Sequence, residues 1–186
     1  GTGGTSKTAY AVAKDLGAKT ILKASINGEV NTITYEEAVN VHNDVEVIIN
    51  TTPVGMYPKN DGCIIELSKF KKLTGLIDVV YNPLRTNLVL DANSLNIPSE
   101  GGLYMLVGQA VYACGLFLDK NIDLSIIDTI FNKLKSDKEN VILIGMPSSG
   151  KTTIGKILSE KLNKKLIDTD DLIVNKIGMS IKDYMN

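Results

Sequence analysis

Gly145-Met146-Pro147-Ser148-Ser149-Gly150-Lys151-Thr152 fits the pattern G-x-x-x-x-G-K-[ST], and it constrains this chain more than any other stretch. An apolar segment, Val141 to Ile144, leads into it, and apolar residues at helical spacing follow: Ile154, Ile157, Leu158 and Leu162. A strand, a glycine loop and a helix in that order make a phosphate-binding loop. The glycines let backbone N–H groups close round phosphate oxygens, the lysine brings a point charge to the terminal phosphates, and the helix N-terminus adds its dipole. The expected nucleotide contacts are Ser148, Ser149, Gly150, Lys151, Thr152 and Thr153, with the Thr152 hydroxyl also a ligand of Mg²⁺. A plain Gly/Ser turn between strand and helix is the competing explanation, and the agreement of motif with context weighs against it.

What flanks this loop is unequal. Only a short tail follows Asp171, too little for a parallel sheet, whereas most of the chain precedes Val141. The chain also opens on Gly1 rather than Met, directly in a second glycine loop with no strand before it. It is therefore expected to be an internal fragment of a longer protein. With 186 residues, a net charge of −1 and 44% hydrophobic residues, the bulk numbers suit a globular chain of one to two domains. No charge run points to nucleic acid or to an acidic membrane surface. The longest apolar run, Leu103 to Leu118, is interrupted by Gly108, Gln109 and Gly115 and falls short of the roughly 20 residues of a membrane span, so it reads as a buried helix. Cys63 and Cys114 form no C-x-x-C pair, which argues against a zinc or thioredoxin-like site. With no signal peptide either, a reducing cytoplasm is the expected location.

Ahead of the phosphate loop the pattern is that of alternating strands and helices. Gly1-Thr2-Gly3-Gly4-Thr5-Ser6 opens a helix with apolar positions Ala9, Val12, Ala13 and Leu16 that stops at Gly17, and a strand is expected at Thr20 to Leu22. Such a glycine turn belongs to β–α–β units that bind dinucleotides, although a flexible glycine stretch would look the same in isolation. Ile33 to Val41 reads as a strand end running into a helix, and Val45 to Asn50 and Leu76 to Tyr81 read as buried strands. Their turns, Thr51-Thr52-Pro53-Val54-Gly55 and Asn82-Pro83, lie where ligands sit on parallel sheets, beyond the strand C-termini. Asn50, Thr51, Thr52 and Tyr81 occupy those ends. The helix at Leu103 to Leu118 and an amphipathic one through Leu124, Ile127, Ile130, Phe131 and Leu134 complete a Rossmann-like domain over 1–134. A linker is expected at 135–139, and the start of a P-loop α/β domain at 140–186.

Gly1 to Ser6 (GTGGTS), Ile49 to Met56 (INTTPVGM), Asp78 to Thr86 (DVVYNPLRT) and Gly101 to Ala110 (GGLYMLVGQA) together resemble the C-terminal, NADP-binding domain of shikimate dehydrogenases. The second part, GMPSSGKTTIGKILSEKLN followed by LIDTDDLIVNKIGMSI, resembles the start of shikimate kinases. The two families catalyse neighbouring steps of one pathway of aromatic biosynthesis, so each resemblance supports the other. The first implies that Tyr81 and Gln109 contact shikimate, that Gly1, Thr2, Gly3, Gly4 and Thr5 hold the cofactor pyrophosphate, that Val79 offers a backbone contact near the nicotinamide, and that Gly102 lies against the cofactor. Read physically, Gln109 puts an amide among Met105, Leu106, Tyr112 and Ala113, where burial would demand hydrogen-bond partners. Tyr81 could equally be a core tyrosine with its hydroxyl in water.

The position about 20 residues beyond the glycine loop distinguishes NAD from NADP, an acid binding ribose hydroxyls and a base accepting the 2′-phosphate. The family usually has an Asn-Arg-Thr-like stretch there; this chain has Leu22-Lys23-Ala24-Ser25. Lys23 keeps the charge without arginine's bidentate fork, so NADP(H) is the expected cofactor, with a solvated surface lysine as the alternative. In the second part, Asp168 and Asp170 follow a short expected strand, Leu166 and Ile167, whose i, i+2 geometry would aim both carboxylates the same way. The resemblance implies Asp168 in the Mg²⁺ water shell and Asp170 on shikimate hydroxyls. A helix cap at either residue is the other reading, and it does not exclude the first.

The resulting expectation is a fragment of a bifunctional enzyme using NADP(H), ATP and Mg²⁺ on small-molecule substrates, 3-dehydroshikimate and shikimate. No catalytic acid/base pair is recognisable, and the family's own pair would precede Gly1, so the fragment alone is expected to turn over neither reaction. His42 has no nucleophile near it in sequence. A quinate/shikimate dehydrogenase fused to another small-molecule kinase, or a non-catalytic nucleotide-binding module, remains open at this point.

Overall fold

The runs Val45–Asn50 and Leu76–Tyr81 are rich in β-branched side chains, and such segments become strands by pairing. In the structure, a computed structural model that describes residues 1–180, 183 and 184, they are parallel neighbours. β3 (Val47–Asn50) lies beside β4 (Gly75–Asp78) with Asn50 opposite Asp78, and β4 pairs in turn with β5 (Ser99–Glu100). A second parallel pair joins β1 (Ala24–Ser25) to β2 (Ile33–Thr34). All these ladders are parallel, the signature of an α/β fold. The chain divides into two compact units, Gly1–Glu139 and Asn140–Asn186.

In the first unit, α1 (Gly4–Asp15) and α2 (Tyr35–Asn40) flank the β1–β2 pair in sequence, α2 starting from a capping box between Thr34 and Glu37. α3 (Asn87–Ser94) precedes β5 and buries Leu88, Val89 and Ala92 with Leu67 and Leu76, forming one core cluster. α4 (Leu103–Leu118) and α5 (Ser125–Lys138) form a second cluster, in which Leu103, Val107 and Val111 sit at helical spacing against Ile127. Tyr104 and Phe131 meet edge to face at 5.2 Å between the same helices.

Several sequence expectations shift. Pairing starts at Ala24 rather than Thr20, because β2 offers a partner only from there. β3 is half-open rather than buried: Val47 is exposed and only Asn50 is buried. α4 has the expected limits but is not a buried helix; Leu116 and Phe117 are 84% and 89% exposed. The polar stretch expected as a linker continues α5 as far as Lys138, since lysine and aspartate are tolerated on a helix's solvent face.

The second unit contains α6 (Lys151–Leu162) and α7 (Thr169–Ile177). Neither expected strand forms there: 141–144 and 166–167 run without ladder partners among the described residues, and Ile142 and Ile144 are exposed. A strand exists only by hydrogen-bonding to another, so an apolar run without one stays irregular. Both segments nevertheless touch α6 at the same place. A Cβ on Gly155 would meet Leu166 Cδ1 at 2.9 Å and Leu143 Cδ1 at 3.5 Å, so the helix approaches both leucines across a bare backbone. Among the described residues, every buried hydrophobic side chain belongs to the first unit.

Candidate functional site: two glycine loops

The first loop leads straight into α1. Gly3 is the N-cap, and buried Ser6 turns its hydroxyl back to donate to Gly3 O at 3.0 Å. With no acidic residue in the first turn, the helix N-terminus keeps free N–H groups and an uncompensated positive dipole end. Gly1 lies against the exit of β3, where a Cβ would come within 2.9 Å of Thr51 Oγ1. The loop therefore rests on the turn that follows Asn50.

That exit is fixed by a buried polar network. Asn50 Nδ2 donates to Asp78 Oδ1 at 2.9 Å, and Asn50 Oδ1 accepts from both the Thr52 amide and the Thr52 hydroxyl, at 2.9 and 2.7 Å. Asp78, fully buried, also accepts from Val80 N at 3.1 Å and from Thr86 Oγ1 at 2.6 Å. Thr86 in turn accepts from Val89 N, capping α3. Each of these three buried side chains is hydrogen-bonded, as buried polar groups must be. Asn50 is recognisable in the sequence as a strand-end residue, whereas nothing there marks Asp78 or Thr86 by itself. The available signal was that two apolar runs each put a polar residue at the same register position, Asn50 opposite Asp78.

Past β4, Gly102 sits on the backbone of Val79 and Val80. Its amide donates to Val80 O at 2.9 Å, and a Cβ there would fall 2.0 Å from Val79 O. No other residue type fits that approach. Val79 and Gly102, expected on the cofactor, are thus in direct contact. Tyr81, just beyond β4, is 42% exposed. Gln109 lies on the exposed face of α4, which corrects its reading as a buried amide: the buried face is that of Leu103, Val107 and Val111. Lys23, at the entry to β1, holds its ammonium 4.6 Å from the ring centroid of Tyr10 on α1. Thr2, Gly3, Gly4 and Thr5 are exposed along the loop.

The second loop is shaped by two left-handed residues, Ser148 with φ 63° and Gly150 with φ 82°. Lys151 opens α6, and its Nζ donates to Gly145 O at 2.9 Å and Met146 O at 2.8 Å. Thr152 and Thr153 are exposed in the first turn of α6. Ser149 N donates to Met146 O at 3.2 Å, which closes the loop on itself. Asp168 is the N-cap of α7, its carboxylate accepting from Asp170 N at 3.0 Å. The two carboxylates therefore do not share a strand, as their i, i+2 spacing suggested; Asp170 stands exposed in the first turn of the helix.

Among the described residues, no group of three or more His, Cys, Asp or Glu could hold a metal ion. Neither cysteine is paired. Loss of hydration, with the Asp91 carboxylate adding to it, pushes the Cys63 thiol above its ordinary value, which suits no nucleophile. No helix of the described residues is long and apolar enough to cross a membrane.

The shikimate kinase family matches residues 147–186. The chain is 32% identical over 145 residues to the NADP(+)-dependent shikimate dehydrogenase of Clostridium perfringens, covering 73% of this chain and 53% of the relative. Among solved structures, it is similar to a chorismate mutase/shikimate 5-dehydrogenase fusion protein from Clostridium acetobutylicum (TM-score 0.70, 32% identity, 75% of this chain and 54% of that one). It is also similar to shikimate dehydrogenase 1 from Peptoclostridium difficile (TM-score 0.68, 36% identity, 75% and 53%). The chain spans about half the length of the curated relatives it matches. Shikimate dehydrogenase homologues thus cover most of the chain, with a shikimate kinase match at its C-terminal end, the arrangement of a dehydrogenase/kinase fusion.

Proposed function

From this double likeness we propose that the chain is part of a bifunctional shikimate-pathway enzyme. Its first unit serves the NADP-dependent reduction of 3-dehydroshikimate to shikimate, and its second the ATP-dependent 3-phosphorylation of shikimate. The observation that carries the reading is one chain with two glycine loops of different pattern, one in each compact unit, the kinase match falling only on the second.

The residues present fit the groups this requires. In the first unit, Gly1, Thr2, Gly3, Gly4 and Thr5 would hold the pyrophosphate at the N-terminus of α1, and Val79 with Gly102 would offer a flat backbone surface to the nicotinamide end, where a Cβ at residue 102 cannot exist. Lys23 would meet the 2′-phosphate that separates NADP from NAD. Tyr81 and Gln109, both exposed, would orient the substrate. In the second unit, Ser148, Ser149, Gly150, Lys151, Thr152 and Thr153 would surround the ATP phosphates. Thr152 and Asp168 would complete a Mg²⁺ shell whose other ligands are phosphate oxygens and water, the usual way a site with few protein ligands holds this ion. Asp170 would accept hydrogen bonds from substrate hydroxyls. Bound, the nicotinamide supplies the hydride and ATP the phosphoryl group. The chain's own part is positioning and charge neutralisation. Unpaired Cys63 and Cys114 support a reducing, cytoplasmic setting.

The full-length protein is expected to couple shikimate oxidation to NADPH formation and to release ADP when given shikimate with ATP and Mg²⁺. Titration with both dinucleotides should show tighter binding of NADP⁺. Lys23→Ala should weaken NADP⁺ selectively, by about 1–2 kcal/mol for a partly exposed charge-assisted contact. Tighter NAD⁺ binding would reverse the cofactor assignment, and nucleotide binding without turnover at either unit would leave a binding module instead.

A further inference from the structure

Lys23 is the one basic residue that the cofactor reading needs in the first unit, and a lysine side chain is ordinarily free to wander. Here it is not. Its ammonium lies over the face of Tyr10 at 4.6 Å from the ring centroid, within the range of a cation–π contact. Among the described residues Lys23 makes no ion pair with a carboxylate. This difference matters electrostatically. A carboxylate would orient the ammonium and also cancel its charge, whereas an aromatic ring orients it and leaves the full charge for an incoming anion.

The surroundings place that charge by the first glycine loop. Lys23 O accepts from Ile33 N at 2.8 Å, which pins the residue to the edge of β2, and the next carbonyl, Ala24 O, accepts from the terminal ammonium of Gly1 at 3.1 Å. Tyr10 lies six residues along α1 from Gly4, about 9 Å at 1.5 Å per residue, on the helix whose N-terminus faces the loop. The ring thus holds the ammonium between β1 and α1, the two elements next to the loop, on the side where a dinucleotide held by that loop would present its ribose 2′-position. We propose that Tyr10 is a specificity-determining residue for the 2′-phosphate of NADP, acting by holding Lys23 in place with its charge intact. This rests on the assignment of Lys23 above and extends it to a residue that touches no phosphate itself.

The test uses full-length protein and measures dissociation constants for NADP⁺ and NAD⁺, with adenosine 2′,5′-bisphosphate and 5′-AMP as minimal probes. Tyr10→Ala is expected to weaken NADP⁺ and the bisphosphate about two- to fivefold, the scale of an exposed cation–π contact, while NAD⁺ and 5′-AMP stay as they were. Tyr10→Phe, which keeps the ring, should keep the selectivity. In a Lys23→Ala background, Tyr10→Ala should have no further effect, because the ring then has nothing to hold. Parallel weakening of both cofactors by Tyr10→Ala would mean a structural role and overturn the proposal. So would tighter NADP⁺ binding, which would mean that the ring withholds the lysine, or a Tyr10→Phe variant as impaired as Tyr10→Ala. If Lys23→Ala alone leaves the NADP⁺/NAD⁺ ratio unchanged, the Lys23 assignment fails first and this inference with it.

Discussion

On the proposed reading the two glycine loops would solve the same problem, holding phosphate, with opposite divisions of labour. The second carries everything in one stretch: its left-handed residues, its cation and the first residues of its helix lie within Gly145–Thr152, and Lys151 already bonds two carbonyls of its own loop. The first is assembled. Its support is the β3 exit at Thr51, and the cation proposed for it is Lys23, each brought from a different place in the chain. A self-contained loop needs little from its surroundings to take shape. An assembled one exists only when the sheet is in register.

The sharpest way to break this comparison is Lys151→Ala. Losing the second loop's own cation should lower phosphoryl transfer by roughly 10²–10³-fold or more, the scale of removing one donor aimed at developing charge, and leave NADP-linked turnover in the full-length protein unaltered. Loss of both activities would show that the units are not independent. The next effect belongs to the assembled loop. Gly102→Ala sets a methyl 2.0 Å from Val79 O, both of them backbone-fixed, and should cost about 1–3 kcal/mol in chemical denaturation together with NADP⁺ affinity. An unchanged midpoint would mean that the strand exit yields freely. The smallest is Thr86→Val, which removes the donor to Asp78 Oδ2 and the cap of α3 and should lower stability by about 1–2 kcal/mol. Cofactor binding should follow stability here rather than fall further; a larger loss of affinity than of stability would place Thr86 nearer the ligand than its burial allows.

What could be read from residues alone follows the same division. The second loop was legible because its chemistry is contiguous: Lys151 and Thr152 stand at fixed offsets from Gly145 and Gly150. The strands beside it were not, because apolar composition at Val141–Ile144 specifies a strand only if something pairs with it. In the first unit, helix α4 was legible to the residue, yet which of its faces is covered was not. A run broken only at Gly108, Gln109 and Gly115 carries no polar stripe to mark the solvent side, so nothing in it tells that Gln109 faces outward. The contact of Lys23 with Tyr10 joins residues that no sequence period relates. Asp78 was hidden differently, as a lone acid within an apolar run whose partners lie at other strand and helix ends.

Asn50, Asp78 and Thr86 also restrict how this domain can change over generations. Replace any one alone and a neighbour is left buried with a donor or acceptor facing nothing, at a cost of about 1–3 kcal/mol, a large part of the few kcal/mol by which a typical domain stays folded. Exchanging all three for apolar residues removes the mismatches between them but still strands the amides of Thr52, Val80 and Val89, which donate to them. The three positions are therefore expected to drift together or not at all, although the first and the last stand far apart along the chain.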